Sequence, residues 1–161
     1  KRTELGIDAV KFLITTNPGE DFKPLSRIIS GGELSRVMLA FKNLMADIDR
    51  VETIVFDEVD KGIGGKTAQK MAEKLYRISH KRQVICVSHL PQVASMGDNH
   101  YYINKSTKED KKTVTNIKEL KKGEIIEELA RMLGGVKLTE TTKKHAREML
   151  QMAKDKQVTI K

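Results

Sequence analysis

The sequence is poor in several residue types, and each shortage excludes something. It has one cysteine, no tryptophan, and an aromatic fraction of 4%. A single thiol, Cys86, permits no internal disulfide, so the fold must rest on packing, as suits a reducing cytosol. Cys86 stands in the apolar run Val84-Ile85-Cys86-Val87 and reads as core. Few aromatics leave no visible stacking platform for bases. No apolar run approaches the roughly 18 residues that suggest a membrane span, and no signal-peptide pattern opens the chain. No membrane partner is expected. His80, His100 and His145 have no neighbours spaced as metal or catalytic partners. The first residue is Lys1 rather than Met, which is expected of a piece of a longer protein.

What the sequence does contain is charge. Thirty basic residues against 22 acidic ones give a net charge of +8. That balance favours a polyanionic partner such as DNA. A lysine-rich solvated surface would look the same, because the basic residues are scattered among acids. Lys105, Lys108, Lys111 and Lys112 are a candidate DNA-binding cluster only, and a charged, solvated loop accounts for them better. The 161 residues, 39% of them hydrophobic, are enough for one core. Residues 1–161 are therefore read as a single domain or one lobe of a larger one.

Along the chain, residues 10–15 alternate, with Val10, Phe12 and Ile14 on one face, as in a strand. Asn17-Pro18-Gly19-Glu20 is a turn. Leu34, Val37, Met38, Phe41, Leu44, Met45 and Ile48 recur at helical spacing and predict a helix with a wide apolar stripe. Residues 53–56 and 83–88 are short apolar runs that read as strands buried on both faces. A helix is expected between them over about residues 66–78. Pro91 should open a short helix, residues 100–104 and 113–119 should form a hairpin, and helices should follow over about 124–133 and 139–153. Alternating strands and helices predict an α/β fold with a parallel sheet flanked by helices. In such sheets ligands gather at the carboxyl ends of strands.

Three segments could carry chemistry. Ser30-Gly31-Gly32-Glu33 opens the apolar helix. It is a capping box if Ser30 and Glu33 bond each other's amides. The same helix N-terminus, with glycines that let phosphate approach, is also an anion site. Thr53-Ile54-Val55-Phe56-Asp57-Glu58 resembles a Walker B strand. There Asp57 would hold magnesium through water, and Glu58 would act as general base on the attacking water. The bland alternative is two acids facing solvent at a strand end. His89 closes the next strand, where it could donate to a phosphate oxygen or be an ordinary loop histidine. Gly64-Gly65-Lys66-Thr67 imitates the end of a phosphate-binding loop. The pattern requires a glycine, four residues, then Gly-Lys, and Asp60 stands where that first glycine should be. The chain has no other Walker A candidate.

Taken in order, these segments resemble the second half of an ABC ATPase head. Ile29-Ser30-Gly31-Gly32-Glu33, followed by Arg36, resembles the ABC signature. Asp57-Glu58 matches Walker B, residues 60–65 the D-loop region with Asp60, and His89 the switch histidine. The match narrows to the RecN family of SMC-like ATPases on residues 30–40, on Phe56-Asp57-Glu58-Val59-Asp60 with Gly62-Ile63-Gly64-Gly65, and on Ser88-His89-Leu90-Pro91-Gln92-Val93-Ala94. Asn17-Pro18-Gly19-Glu20 with Lys23-Pro24-Leu25 fits its lead-in. The resemblance covers about residues 5–135. Lys61 departs from the D-loop pattern. Ile29 stands where many ABC proteins have Leu, and Glu33 where many transporters have Gln, although Glu is familiar in SMC-like proteins.

The resemblance implies the C-terminal lobe of a P-loop NTPase head of ABC type. It implies bacterial recombinational repair of DNA double-strand breaks, in the cytoplasm at the nucleoid. ATP and Mg2+ would be bound only in the complete head, with Walker A supplied by an N-terminal lobe of the same protein. Asp57, Glu58 and His89 would then serve one ATP, while Ser30, Gly31, Gly32 and Glu33 would cap ATP on a second head of a homodimer. The full protein would be an ATPase and the isolated chain inactive. A stand-alone NTP-binding enzyme using Lys66, a basic non-catalytic DNA-binding domain, and the head of another SMC-like ATPase are the alternatives.

Overall fold

A computed structural model describes residues 4, 6–15, 19–27, 31–45, 51–107, 113–135 and 138–160. Its centre is a strand–helix–strand unit. Strand β3 (Thr53–Phe56) and strand β4 (Gln83–Cys86) pair in parallel, with Ile54 opposite Val84 and Phe56 opposite Cys86. We number these after two short strands, β1 (Leu13–Ile14) and β2 (Lys23–Pro24), which pair antiparallel, and after helix α1 (Gly31–Leu44). Helix α2 (Gly65–Ser79) connects β3 to β4. A parallel pair needs such a crossover, because no tight turn can bring the chain back in the same direction.

α2 lies on this pair because its apolar residues fall on one stripe. Ala68, Met71, Ala72, Leu75 and Ile78 are all buried, at the spacing that returns a side chain to one helix face. They meet Ile54 and Phe56 of β3, with Val84 and Cys86 packed at the edge of the same cluster. Leu39 of α1, Val59, Val93, Met96 and Ala153 complete this core.

Helix α3 (Pro91–Ala94) begins at the proline, as expected of a residue that suits the first helical turn. Strands β5 (Tyr101–Thr107) and β6 (Thr113–Glu119) form the expected antiparallel hairpin, with Ile103 opposite Ile117. Helices α4 (Lys122–Gly134) and α5 (Glu140–Ile160) then pack together through Leu129, Ala130 and Ala146. The Glu124 carboxylate accepts from the Lys121 backbone N–H at the start of α4 and from the Lys118 ammonium on β6. These contacts hold its pKa below the usual carboxylate range, the Lys118 bond contributing most. α5 opens on a hydroxyl version of the capping box. The Thr142 N–H donates to Thr139 Oγ1 at 3.1 Å, and the Thr139 N–H donates to Thr142 Oγ1 at 3.0 Å.

Several expectations are corrected. The strand expected over residues 10–15 is only Leu13–Ile14; Val10 stays 75% exposed, and the Phe12 ring meets Phe41 of α1 edge-on instead. β3 and β4 are not covered on both faces. Ile54 and Phe56 are buried, but Val55, Ile85 and Val87 are exposed, because α2 covers one face and side chains alternate along a strand. Cys86 is accordingly half-buried rather than fully core. Desolvation first, then the nearby Asp60 and Asp57 carboxylates, push its thiol up to about 12, so it stays protonated and inert. The apolar stripe of α1 is mostly uncovered: Leu39 is buried, while Leu34, Met38 and Leu44 are exposed. Its Ile48, and Asn17 and Pro18 of the expected turn, lie outside the described residues. α5 runs to Ile160, beyond the expected end at residue 153.

Candidate nucleotide-binding edge

The carboxyl ends of β3 and β4 lie side by side, since the Val87 N–H donates to the Phe56 carbonyl at 2.9 Å. Asp57-Glu58 therefore leaves one strand next to the point where Ser88-His89 leaves the other. What joins the two loops is Asp60. Its carboxylate is buried, with 1% of the residue exposed. Oδ2 accepts from Ser88 Oγ at 2.5 Å, from the His89 backbone N–H at 2.9 Å and from the Leu90 backbone N–H at 3.3 Å. His89 Nδ1 stands 3.2 Å from the same oxygen. A buried carboxylate is tolerated when donors replace its hydration. Here those donors come almost entirely from the loop after β4, so Asp60 clasps the two strand ends together.

The His89 side chain itself is 70% exposed. With Nδ1 beside Asp60, the ring is oriented from behind. Its Nε2 is left as the nitrogen that can meet a ligand, an arrangement often used to fix a histidine's tautomer.

Residues alternate sharply through the loop after β3. Val59 and Asp60 are buried, whereas Asp57, Glu58 and Lys61 face solvent. Glu58 has φ of +53°, the left-handed region that side-chain-bearing residues rarely adopt. Such a conformation costs about 1–2 kcal/mol. It is stabilised by the turn that follows, in which the Lys61 N–H donates to the Glu58 carbonyl at 3.1 Å. The Asp57 carboxylate has no hydrogen bond or ion pair among the described residues and is exposed.

Helix α1 docks its first turn on this loop. A Cβ at Gly32 would stand 2.9 Å from Lys61 Cβ, 3.0 Å from the Lys61 carbonyl oxygen and 3.1 Å from the Glu58 carbonyl oxygen. Only glycine permits that approach. Arg36 Nη1 donates to the Lys61 carbonyl at 2.8 Å, and Ser35 Oγ donates to the Asp57 carbonyl at 3.2 Å. Gly31 lies beside the Glu58 carboxylate, since a Cβ there would be 3.7 Å from Oε2. An open groove of about 320 Å³ runs between α1 and β3, lined by Leu34, Met38, Lys42, Val55 and Asp57 among others.

Of the residues singled out in the sequence, Gly31, Gly32, Asp57, Glu58, Asp60 and His89 thus gather at one edge of the parallel pair. Glu33 is in the first turn of α1. Ser30 lies outside the described residues, and with it the expected capping box. Lys108, Lys111 and Lys112 also lie outside them, while Lys105 is exposed on β5. Lys66 begins α2 on the exposed side, after a glycine turn that carries none of the donors clustered at Asp60. The contacts of Ser35, Arg36 and Ser88 were not expected from sequence. Each bonds a group 22 to 28 residues away, and no local pattern announces such a contact.

The donors at this edge bear on the expected magnesium. Among the described residues no group of three or more His, Cys, Asp or Glu side chains could hold a metal ion. A protein cage for a resident metal is absent there. One open carboxylate at a strand end suits magnesium instead, which takes one or two carboxylates and keeps water or substrate phosphates as its other ligands. Asp57 fits that role.

No family model matches the chain. A solved structure presented as "Structural biochemistry of ATP-driven dimerization and DNA stimulated activation of SMC ATPases" is similar over 78% of this chain and 81% of its own, with a TM-score of 0.50 and 20% identity. That likeness shows the fold alone, an α/β arrangement shared with a solved SMC ATPase. Sequence comparison goes further. The DNA repair protein RecN of Bacillus subtilis (strain 168) is 53% identical over 151 residues, covering 94% of this chain and 26% of the relative. RecN of Halalkalibacterium halodurans is 50% identical over 150 residues, with 93% and 26% covered. RecN of Vibrio cholerae serotype O1 is 44% identical over 146 residues, with 91% and 26% covered. The chain belongs to the RecN family. It spans about a quarter of the length of these relatives.

Proposed function

We propose that this chain is the C-terminal lobe of a RecN ATPase head, and that the complete protein hydrolyses ATP while joining two heads in DNA double-strand-break repair. The observation that carries the reading is the shared edge. Asp57 and Glu58 follow β3, His89 follows β4, and the buried Asp60 ties the two loops together. In this reading Asp57 would hold magnesium, which when bound would supply charge neutralisation at the phosphates. Glu58 accepts the proton of the attacking water. His89, aligned by Asp60, donates to a phosphate oxygen. Gly31 and Gly32, with Ser30 and Glu33, present the first amides of α1 to ATP on the opposite head, where free N–H groups and the helix dipole favour an anion.

The exposed face of β3 and β4, with Val55, Ile85 and Val87, is the surface an N-terminal lobe would cover. That lobe would bring the Walker A loop. ATP carries several negative charges that need donors from both lobes, so the chain alone would bind nucleotide weakly and turn none over. The named relatives are DNA repair proteins, and the net charge of +8 suits work beside a polyanion. Such a protein would work in the cytoplasm.

The test is steady-state ATP turnover by the full-length protein beside Glu58→Gln, with calorimetry of ATP binding to both and to the chain alone. Turnover should fall by a factor on the order of 10² or more, the usual contribution of a general base, while ATP affinity survives. Unchanged turnover would remove the Walker B assignment. Micromolar ATP binding by the isolated chain would remove the division of labour between lobes.

A further inference from the structure

The clearest unassigned feature is Lys61. Its backbone is held on three sides: its N–H donates to the Glu58 carbonyl, its carbonyl accepts from Arg36, and its Cβ abuts Gly32 of α1. From that fixed base the side chain turns back over Glu58. Nζ stands 3.4 Å from Oε1 and 3.3 Å from Oε2, so one ammonium covers both carboxylate oxygens. We propose that Lys61 is a positioning residue that latches Glu58 in a resting position against the first turn of α1, restraining hydrolysis until the latch opens. The inference rests on the reading of Glu58 as the general base.

The physical argument has three parts. A carboxylate whose oxygens both accept from an ammonium has fewer lone pairs aimed outward to take a proton from water. The pair is also weak enough to open, because both partners are more than half exposed, at 62% and 56%, and exposed ion pairs form and break easily. Finally, the latch is coupled to the signature helix. Arg36 and Gly32 bind the Lys61 backbone to α1, so a shift of α1 would move the ammonium relative to Glu58.

The experiment uses the full-length protein and compares Lys61→Ala, Lys61→Arg, Glu58→Gln and the double variant Lys61→Ala/Glu58→Gln. kcat and KM for Mg-ATP are measured, with thermal unfolding as a control. The expected result is a kcat raised about two- to four-fold by Lys61→Ala, the scale of an exposed ion pair, with KM and melting temperature little changed. Lys61→Arg, which keeps the charge, should return kcat to the parent value, and the double variant should be as inactive as Glu58→Gln. An unchanged or lower kcat in Lys61→Ala, or the same gain in Lys61→Arg, overturns the latch while inactive Glu58→Gln leaves the ATPase reading standing. If Glu58→Gln retains full turnover, the reading of Glu58 falls and the latch with it.

Discussion

Asp60 occupies the position in the chain that a solvent-facing loop residue would hold, yet it is buried and accepts from three donors of the 88–90 segment. Asp60→Ala would leave the His89 backbone N–H without its acceptor, while the Ser88 hydroxyl would keep only its 3.5 Å bond to the Leu90 carbonyl and the Leu90 N–H its 3.1 Å bond to Ser88 Oγ. Each buried donor left unmade costs about 1–3 kcal/mol, and water entering the gap would recover part of it. A net loss of about 2 kcal/mol is expected in urea unfolding, with Asp60→Asn losing less because its carbonyl oxygen can still accept. Equal stability of all three proteins would show that the clasp contributes nothing. At this scale the sequence was legible where chemistry needs particular residue types. The Asp57-Glu58 pair, His89 and the two glycines could be singled out from pattern and resemblance. The partners of Asp60 could not, because a bond across 28 to 30 residues leaves no local periodicity.

Elements were legible wherever one side of them met a core. α2 followed from the spacing of Ala68, Met71, Ala72, Leu75 and Ile78, and it lies within a residue of its expected bounds. α5 ran on past its expected end because its later turns are polar and are held by tertiary contacts such as Gln157 Nε2 donating to the Met96 carbonyl at 3.0 Å. The junction of α4 and α5 has its own test. A Cβ at Gly134 would meet Thr142 Cγ2 at 2.6 Å, and a β-branched threonine on a helix has little freedom to move away. Gly134→Ala gains helix propensity of up to about 1 kcal/mol, but overpacking of this kind costs about 1–3 kcal/mol. The expected outcome is net destabilisation. Thr142→Ser removes the methyl and keeps the capping hydroxyl, so in that background Gly134→Ala should become neutral or stabilising. A thermal-denaturation double-mutant cycle reads the difference, and strictly additive effects would deny the contact.

At the scale of the whole molecule, the notable feature is an apolar surface without a cover. Val55, Ile85 and Val87 on the sheet and Leu34 and Met38 on α1 are exposed together with their polar neighbours at the strand ends. A parallel sheet open on one face is unusual, and a surface of this kind marks an interface. Val55→Lys with Ile85→Lys should therefore act oppositely in two settings. In the isolated chain the pair should lower binding of a hydrophobic dye and change stability by no more than about 0.5 kcal/mol per site, as for ordinary surface changes. In the full-length protein it should strongly destabilise the head, because two ammonium groups would be buried without partners. Equal, small effects in both would mean that the face stays open to water.

The order of elements, the βαβ unit, the apolar stripes and the identity of the ionisable residues at the strand ends are set by periodicity and residue type, and these are local properties. Which face of each stripe is covered is not local. The same alternation in β3 serves a strand covered on one face or on two, and only the packing of α2 decides that Ile54 and Phe56 are inside and Val55 is not. Likewise, sequence put Asp57, Glu58, Gly32 and His89 on separate segments. Parallel pairing of β3 with β4, the closeness that Gly32 permits, and the buried Asp60 brought them to one edge, because long-range hydrogen bonds and close packing act between residues that the chain keeps far apart.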